Sequence, residues 1–201
     1  SFENSRIINS GGFWNMDNVH RIEHFCEDIE LPENKKMIQA IFENFNSNVF
    51  NKLEDLPKGV LHQDANENNL IVDPNHSEKV IGIIDFGDIA YSYRMRELAI
   101  ALAYGFLGDG DILQHSKSLI KGYVHQFPLL ECEIDLLFDI AMMRLVQSVL
   151  ISTFQSKKYP DNDYILISQK PAFKALKILS SFDAHTLRSI ARDAAGLNAS
   201  S

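Results

Sequence analysis

The side chains best suited to chemistry lie in one stretch of the chain, from Leu61 to Ala99. Asp64 follows a short apolar run, Asn69 comes five positions later, and Asp85 ends a longer apolar run. Phosphoryl transfer needs a carboxylate that faces the acceptor hydroxyl, together with oxygen ligands that hold magnesium. The residue types and their spacing therefore predict Asp64 as a catalytic base and Asn69 and Asp85 as magnesium ligands.

Each of these side chains also has a purely structural interpretation. Asp64 could be a turn aspartate, Asn69 could cap the start of a strand, and Asp85 could form a charge pair or cap the next segment. Asparagine is common in this loop, so the spacing of Asn69 is the evidence rather than its type. For Asp85, a carboxylate that leaves a buried apolar run is costly unless something pairs with it.

Three more polar residues flank this set. We expect His62 to support the loop by hydrogen bonding to backbone rather than to transfer protons. Asp88 could be an acid behind the metal ligands, a substrate contact or a turn residue. Glu97 falls in the first turn of a predicted helix, where the helix dipole favours an acid in any case.

Two apolar runs separated by turn-forming residues predict an antiparallel β-hairpin in this region. The runs are 70–72 and 80–84, and the segment between them is rich in Asp, Pro, Asn and Ser. Antiparallel pairing of Val72 with Val80 would place Asn69 beside Asp85 at the open end of the hairpin. Residues distant in sequence would then share one metal ion.

The rest of the chain reads as helical, which makes the fold class α+β and mostly helical. Residues 1–12 are expected to form a loop, and Val60-Leu61 a short strand. Apolar residues at helical spacing predict the remaining elements. The predicted helices are 17–29, 32–53, 94–106, 112–127, 132–154, 170–180 and 184–195. This organisation is helical over 13–55, a loop and hairpin over 60–90, and helical over 94–197.

Composition limits the classes of function. The chain has 201 residues, 45% of them hydrophobic and 23% charged, which is typical of a globular protein. A net charge of -8 argues against a nucleic-acid partner and suits a small cationic substrate. Cys26 and Cys132 are too few for a disulfide framework, which predicts reduced thiols and an intracellular protein. No apolar run reaches membrane-spanning length.

Taken together, these residues resemble the aminoglycoside phosphotransferase and choline kinase superfamily. The segments 61–70 and 82–88 are most similar to its hydroxylysine kinase group, and Phe13-Trp14-Asn15-Met16 resembles the start of that group's C-terminal lobe. The resemblance rests on His62-x-Asp64-x4-Asn69, a hairpin, Asp85-x-Gly87-Asp88 and Glu97-Leu98-Ala99.

The resemblance implies a protein-kinase-like C-terminal lobe whose small hairpin carries the catalytic site. Asp64 would be the catalytic base, and Asn69 and Asp85 would hold Mg²⁺. The supporting residues would be His62, Asp88 and Glu97. The reaction would move the terminal phosphate of GTP or ATP to the hydroxyl of a small cationic amino compound. The first candidate for that compound is 5-hydroxylysine, and the implied location is the cytoplasm.

The sequence also departs from the family pattern. Gln63 stands where the family usually has glycine, and Glu97 replaces the aspartate of more distant relatives. A Gly-rich loop after a strand and a lysine in an early strand are both missing. The N-terminal lobe that grips the nucleotide is therefore expected to lie outside this chain, and the chain alone to be an incomplete kinase.

Three alternatives stay open at this point. The acceptor could be that of another small-molecule kinase, of aminoglycoside, homoserine or choline type. The chain could instead be a non-catalytic, kinase-like binding module. A metal hydrolase is the third possibility, and it would use His62, Asp64, Asp85 and Asp88.

Overall fold

Helix α6 (Leu137–Lys158) forms the centre of a mostly helical fold in the computed structural model, which describes residues 12–197 except the side chains of 163 and 164. The helix is apolar around most of its surface, and residues such as Ile140, Val146 and Val149 are fully buried. Nearly all of the predicted loop 1–12 lies outside the described residues. The predicted helix 132–154 is two helices, because a break at 135–136 separates the short helix α5 (Glu131–Ile134) from α6.

Most predicted helices are confirmed to within a few residues. Residues 32–53 form α1 (Pro32–Asn44), a π-helical stretch Phe45–Val49 and α2 (Phe50–Leu53), which together make the continuous helical segment that the apolar stripe predicts. The helices packed around α6 include α1, α3, α7 and α8. Their bounds are α1 Pro32–Asn44, α2 Phe50–Leu53, α3 Met95–Gly105, α4 Ile112–Gln126, α5 Glu131–Ile134, α7 Gln169–Leu179 and α8 Ala184–Ala194. Among the described residues, none of the helices is both long and apolar enough to cross a bilayer.

The first helical segment differs in type from the prediction. Met16–Asp28 is a 3₁₀ helix, whereas the sequence pattern predicted an ordinary helix over 17–29. Its buried residues include Met16, Val19, Ile22 and Phe25, which recur every three positions. A 3₁₀ helix has three residues per turn, so this repeat lies along one face and packs on α6.

The predicted hairpin is present as β2 (Leu70–Asp73) and β3 (His76–Ile83). The strands are antiparallel, and Val72 pairs with Val80 as expected. The Ile84 N–H donates to the Asn69 carbonyl at 2.9 Å, so the ladder continues one step beyond the strands. Asn69 therefore pairs with Ile84 through the backbone, and Asp85 is the next residue after Ile84 at the open end of the hairpin.

A second small sheet was not predicted. Strand β1 (Lys58–Leu61) pairs antiparallel with β4 (Ala90–Tyr93), in a segment that the sequence analysis left between the hairpin and the next helix. Strand β4 is only four residues long and runs almost directly into α3, so it carries little periodicity of its own. The alternation of buried Ala90 and Ser92 with the tyrosines that follow them was the available signal.

The expectation that the hairpin strands are buried was wrong. Val80, Ile81 and Ile84 are each about half exposed, and every residue of β2 and β3 is exposed or half-exposed. The two strands pack mainly against each other, and their side chains remain at least partly exposed to solvent among the described residues. Asp85 therefore ends an exposed apolar run rather than a buried one.

Candidate active site

Asp64 is held by donors from two different parts of the fold. Its loop follows β1, and the Asn69 amide nitrogen donates to Asp64 Oδ2 and to the Asp64 carbonyl, each at 2.8 Å. The Tyr104 hydroxyl, on α3, donates to Asp64 Oδ1. The Asp64 side chain remains 21% exposed. The carboxylate is thus fixed in orientation and still open to solvent.

His62 supports the same loop with both of its ring nitrogens. The Asp64 N–H donates to His62 Nδ1 at 3.3 Å, and His62 Nε2 lies 2.8 Å from the Ile84 carbonyl. Because Nδ1 accepts, the proton sits on Nε2, which donates to the carbonyl; the assignment follows from these hydrogen bonds. The ring therefore spans from the loop to the hairpin. Neither nitrogen has a lone pair left for a metal ion.

Glu97 and Asp88 are joined to the loop through Gln63. The Gln63 N–H donates to Glu97 Oε2 at 3.1 Å, and Gln63 Nε2 donates to the Asp88 carbonyl at 3.3 Å. Burial raises the pKa of Glu97, although the Gln63 N–H opposes the shift. Gln63 has a φ of 64°, a left-handed conformation that glycine adopts readily and other residues rarely do.

Negative charge accumulates where the hairpin meets the loop. Burial raises the pKa of Asp88, and the nearby carboxylates of Asp64 and Asp85 raise it further, while Arg144 lowers it. Asp85 is exposed, has a φ of 62°, and accepts a hydrogen bond of 3.3 Å from the Gly87 N–H. Strained residues such as this one tend to cluster at functional sites.

Two residues that the sequence analysis did not single out complete the surroundings of Asp64. They are Tyr104 on α3 and Arg144 on α6. Arg144 Nη2 lies 3.3 Å from the Tyr104 hydroxyl and 4.0 Å from Asp64 Oδ1. The available signals were a charged residue in the middle of the most apolar helix, and a tyrosine seven positions after Glu97, two turns along the same helix face.

The predicted site residues therefore come together to different degrees. Asp64 and Asn69 are joined by a side-chain hydrogen bond. Hydrogen bonds that involve backbone groups hold the three supporting residues around this pair: His62, Asp88 and Glu97. Asp85 reaches the same end of the hairpin through the backbone ladder. Among the side chains that the structure describes, no three His, Cys, Asp or Glu residues are arranged to hold a metal ion by themselves.

Comparison with known proteins identifies the class to which this site belongs. A family model described as the phosphotransferase enzyme family (APH) matches residues 14–120, just over half of the chain. The chain belongs to this phosphotransferase family. The match covers every predicted site residue from His62 to Glu97.

The curated relatives that match carry one name, hydroxylysine kinase. The chain is 28% identical to the Mus musculus protein over 173 residues, 83% of this chain and 46% of the relative. It is 27% identical to the Xenopus laevis protein over 186 residues, 89% of this chain and 48% of the relative. It is 26% identical to the Danio rerio protein over 180 residues, 88% of this chain and 51% of the relative. The chain spans about half the length of the curated relatives it matches.

Proposed function

We propose that the complete protein is a small-molecule kinase whose acceptor is 5-hydroxylysine or a closely similar amino compound. Asp64 accepts the proton of the acceptor hydroxyl while that oxygen forms a bond to the terminal phosphorus of ATP or GTP. The bond from this phosphorus to the bridging oxygen breaks, and the nucleoside diphosphate leaves. Family membership supports the reaction class, and the name shared by the relatives supports the choice of acceptor.

The observation that carries the proposal is the way Asp64 is presented. Each carboxylate oxygen offers two lone-pair sites, and Asn69 and Tyr104 each occupy one. The remaining lone pairs of Asp64 can accept a hydrogen bond from the substrate hydroxyl that receives the phosphate. The Asp64 side chain is already oriented and exposed to solvent. Phosphoryl transfer asks the protein mainly for this kind of positioning.

Asn69 and Asp85 fit the role of magnesium ligands. The Asn69 amide nitrogen makes both of its bonds to Asp64, which leaves the amide oxygen as the atom a cation would take. Asp85 offers an exposed carboxylate beside two other acids, and Mg²⁺ prefers sites with one or two carboxylates completed by phosphate and water. When bound, the ion would neutralise charge on the transferring phosphate.

The nucleotide-gripping lobe is proposed to lie in the part of the protein outside this chain. This sequence has no Gly-rich loop after a strand to hold phosphates, and the matched relatives are about twice as long. The lysine of the first strand, Lys58, lies with its Nζ 4.5 Å from the Tyr93 ring centroid. The exposed apolar hairpin adjoins the candidate site and is a suitable surface for such a lobe to cover.

The test is a phosphate-transfer assay on the complete gene product with magnesium, 5-hydroxylysine and either ATP or GTP. We expect transfer, and we expect Asp64→Ala and Asp64→Asn to lower kcat roughly 10²–10⁴-fold while the KM for nucleotide changes less than about threefold. Asp109→Asn, at an exposed aspartate in another loop, is the matched control and should leave kcat unchanged.

The outcomes distinguish the role of Asp64 from the identity of the substrate. Comparable turnover in the Asp64 variants would refute its assignment as the base. Transfer to a different amino alcohol or to an aminoglycoside, and not to 5-hydroxylysine, would keep the mechanism and change the acceptor.

A kinase-like binding module is the second candidate, and the uncovered hairpin favours it. A strand pair with apolar side chains on both faces is a natural site for another protein to associate. Failure of the folded, complete protein to phosphorylate any of these acceptors, with either nucleotide, would favour this candidate over the kinase.

A further inference from the structure

We propose that Tyr104 and Arg144 are positioning residues for Asp64, with Tyr104 fixing one carboxylate oxygen and Arg144 fixing Tyr104. The proposal rests on the proposed function of Asp64. It adds a support for the reacting carboxylate that comes from the helical body rather than from the loop and hairpin.

The loop alone fixes only one of the two oxygens of the Asp64 carboxylate. Asn69 lies in the same loop and holds Oδ2. Oδ1 is held from α3 by the Tyr104 hydroxyl. Two donors on separate elements define the plane of a carboxylate, whereas one donor leaves it free to rotate. Misplacement by about 1 Å can lower the rate of an oriented reaction by roughly 10²-fold.

The hydrogen bonds around the Tyr104 hydroxyl have a defined direction. An ionised carboxylate can only accept, so the Tyr104 hydroxyl donates to Asp64 and its oxygen is left to accept. Arg144 Nη2 supplies a donor to that oxygen at 3.3 Å. Burial raises the pKa of Tyr104, which keeps the proton on the phenol, while Arg144 lowers it. The resulting chain runs from guanidinium to phenol to carboxylate, and each bond polarises the next.

Arg144 is itself fixed in position. Its side chain is 5% exposed, and Asp64 is the carboxylate within ion-pair distance. Its Nη1 donates to Gln147 Oε1 at 3.2 Å, and the guanidinium lies 4.5 Å from the ring centroid of Trp14. Gln147 is in turn anchored through Nε2 to the Phe13 carbonyl at 2.6 Å. A buried cation held on several sides is a rigid support for the phenol in front of it.

The kinetic test compares Tyr104→Phe, Arg144→Lys and Arg144→Met in the complete gene product. Tyr104→Phe should lower kcat roughly 10–100-fold and leave the KM values for nucleotide and acceptor within about threefold. Arg144→Lys keeps a cation and should retain several times the kcat of Arg144→Met. Tyr159→Phe, which removes an exposed hydroxyl just after α6, is the control and should leave kcat unchanged.

A stability test does not depend on activity. Tyr104→Phe should lower the Tm by about 4 °C in the unsubstituted protein, because it removes a hydrogen bond to a charged group. In the Asp64→Ala background the same substitution should lower the Tm by less than half as much, because the carboxylate is already gone.

The outcomes distinguish this proposal from the function on which it rests. Equal Tm shifts in the two backgrounds, or a kcat within twofold of the unsubstituted protein for Tyr104→Phe, would overturn the positioning role. A change confined to the KM for acceptor would also overturn it, because it would make Tyr104 a substrate contact. Absence of transfer activity in the unsubstituted protein would refute the proposed function. The Tm comparison would still decide whether Tyr104 and Asp64 are energetically coupled.

Discussion

Asp17→Ala should destabilise the protein well beyond the loss of a surface ion pair. Asp17 lies in the first turn of the 3₁₀ helix, and its Oδ1 binds Nη1 of Arg96 on α3 at 2.6 Å. The Arg96 side chain is only 1% exposed, and its Nη1 also donates to Ser92 Oγ at 2.7 Å. Burial lowers the pKa of Arg96, and Asp17 opposes the shift. The carboxylate therefore compensates a cation that has little access to water.

The magnitude follows from the different exposure of the two partners. Removing one partner of a fully buried pair costs about 3–5 kcal/mol, because the other charge is left uncompensated. The Asp17 side chain is 46% exposed, so water can enter the space it leaves and hydrate Nη1. We therefore expect Asp17→Ala to lower the free energy of unfolding by about 2–3 kcal/mol.

Urea denaturation followed by circular dichroism measures this change. Asp28→Ala is the matched control, because Asp28 pairs with Lys157 at the same 2.6 Å but both side chains are substantially exposed. That control should lower the free energy of unfolding by less than about 1 kcal/mol. The double variant Asp17→Ala, Arg96→Met removes the orphaned charge and should recover most of the loss.

Two results would refute the reasoning. One is an Asp17→Ala effect no larger than that of Asp28→Ala. The other is a double variant less stable than Asp17→Ala alone, which would mean that the buried guanidinium stabilises the fold without its carboxylate.

Three further predictions concern backbone strain, thiol reactivity and the hairpin. Gln63→Gly should change the free energy of unfolding by less than about 1 kcal/mol in urea denaturation. Relief of the positive φ and removal of the buried Gln63 Oε1, which has no hydrogen-bond partner within the described chain, offset the loss of the Nε2 hydrogen bond to the Asp88 carbonyl, and a larger loss of stability would contradict this. Burial raises the pKa of Cys26 to about 11, so roughly 0.1% of this thiol is thiolate at pH 8. Iodoacetamide should therefore modify the exposed Cys132 at least about 100-fold faster than Cys26, as measured by peptide mapping, and equal rates would refute this expectation. Ile81→Lys, on the exposed hairpin, should reduce binding of a hydrophobic dye and change the free energy of unfolding by less than about 0.5 kcal/mol. A larger loss of stability would mean that the strand is covered.

Much of the fold could be predicted because local patterns determine local elements. The apolar spacing predicts helices over 112–127 and 184–195, and the observed helices each end one residue earlier. The turn-forming residues after Asp73 predict the hairpin and its register. The 3₁₀ helix was misassigned because a three-residue apolar repeat over a short segment resembles the spacing of an ordinary helix. Strand β4 was missed because four residues carry too little periodicity.

The residues of the candidate site were likewise predictable only in part. The sequence by itself determined the spacing of Asp64, Asn69 and Asp85, since these lie within one loop and one hairpin, where short-range geometry places them. Only the tertiary structure decided that Tyr104 and Arg144 stand behind Asp64, 40 and 80 positions along the chain. Those contacts depend on how α3 packs against α6, and such packing is set by side-chain fit across the core rather than by any repeat within a segment.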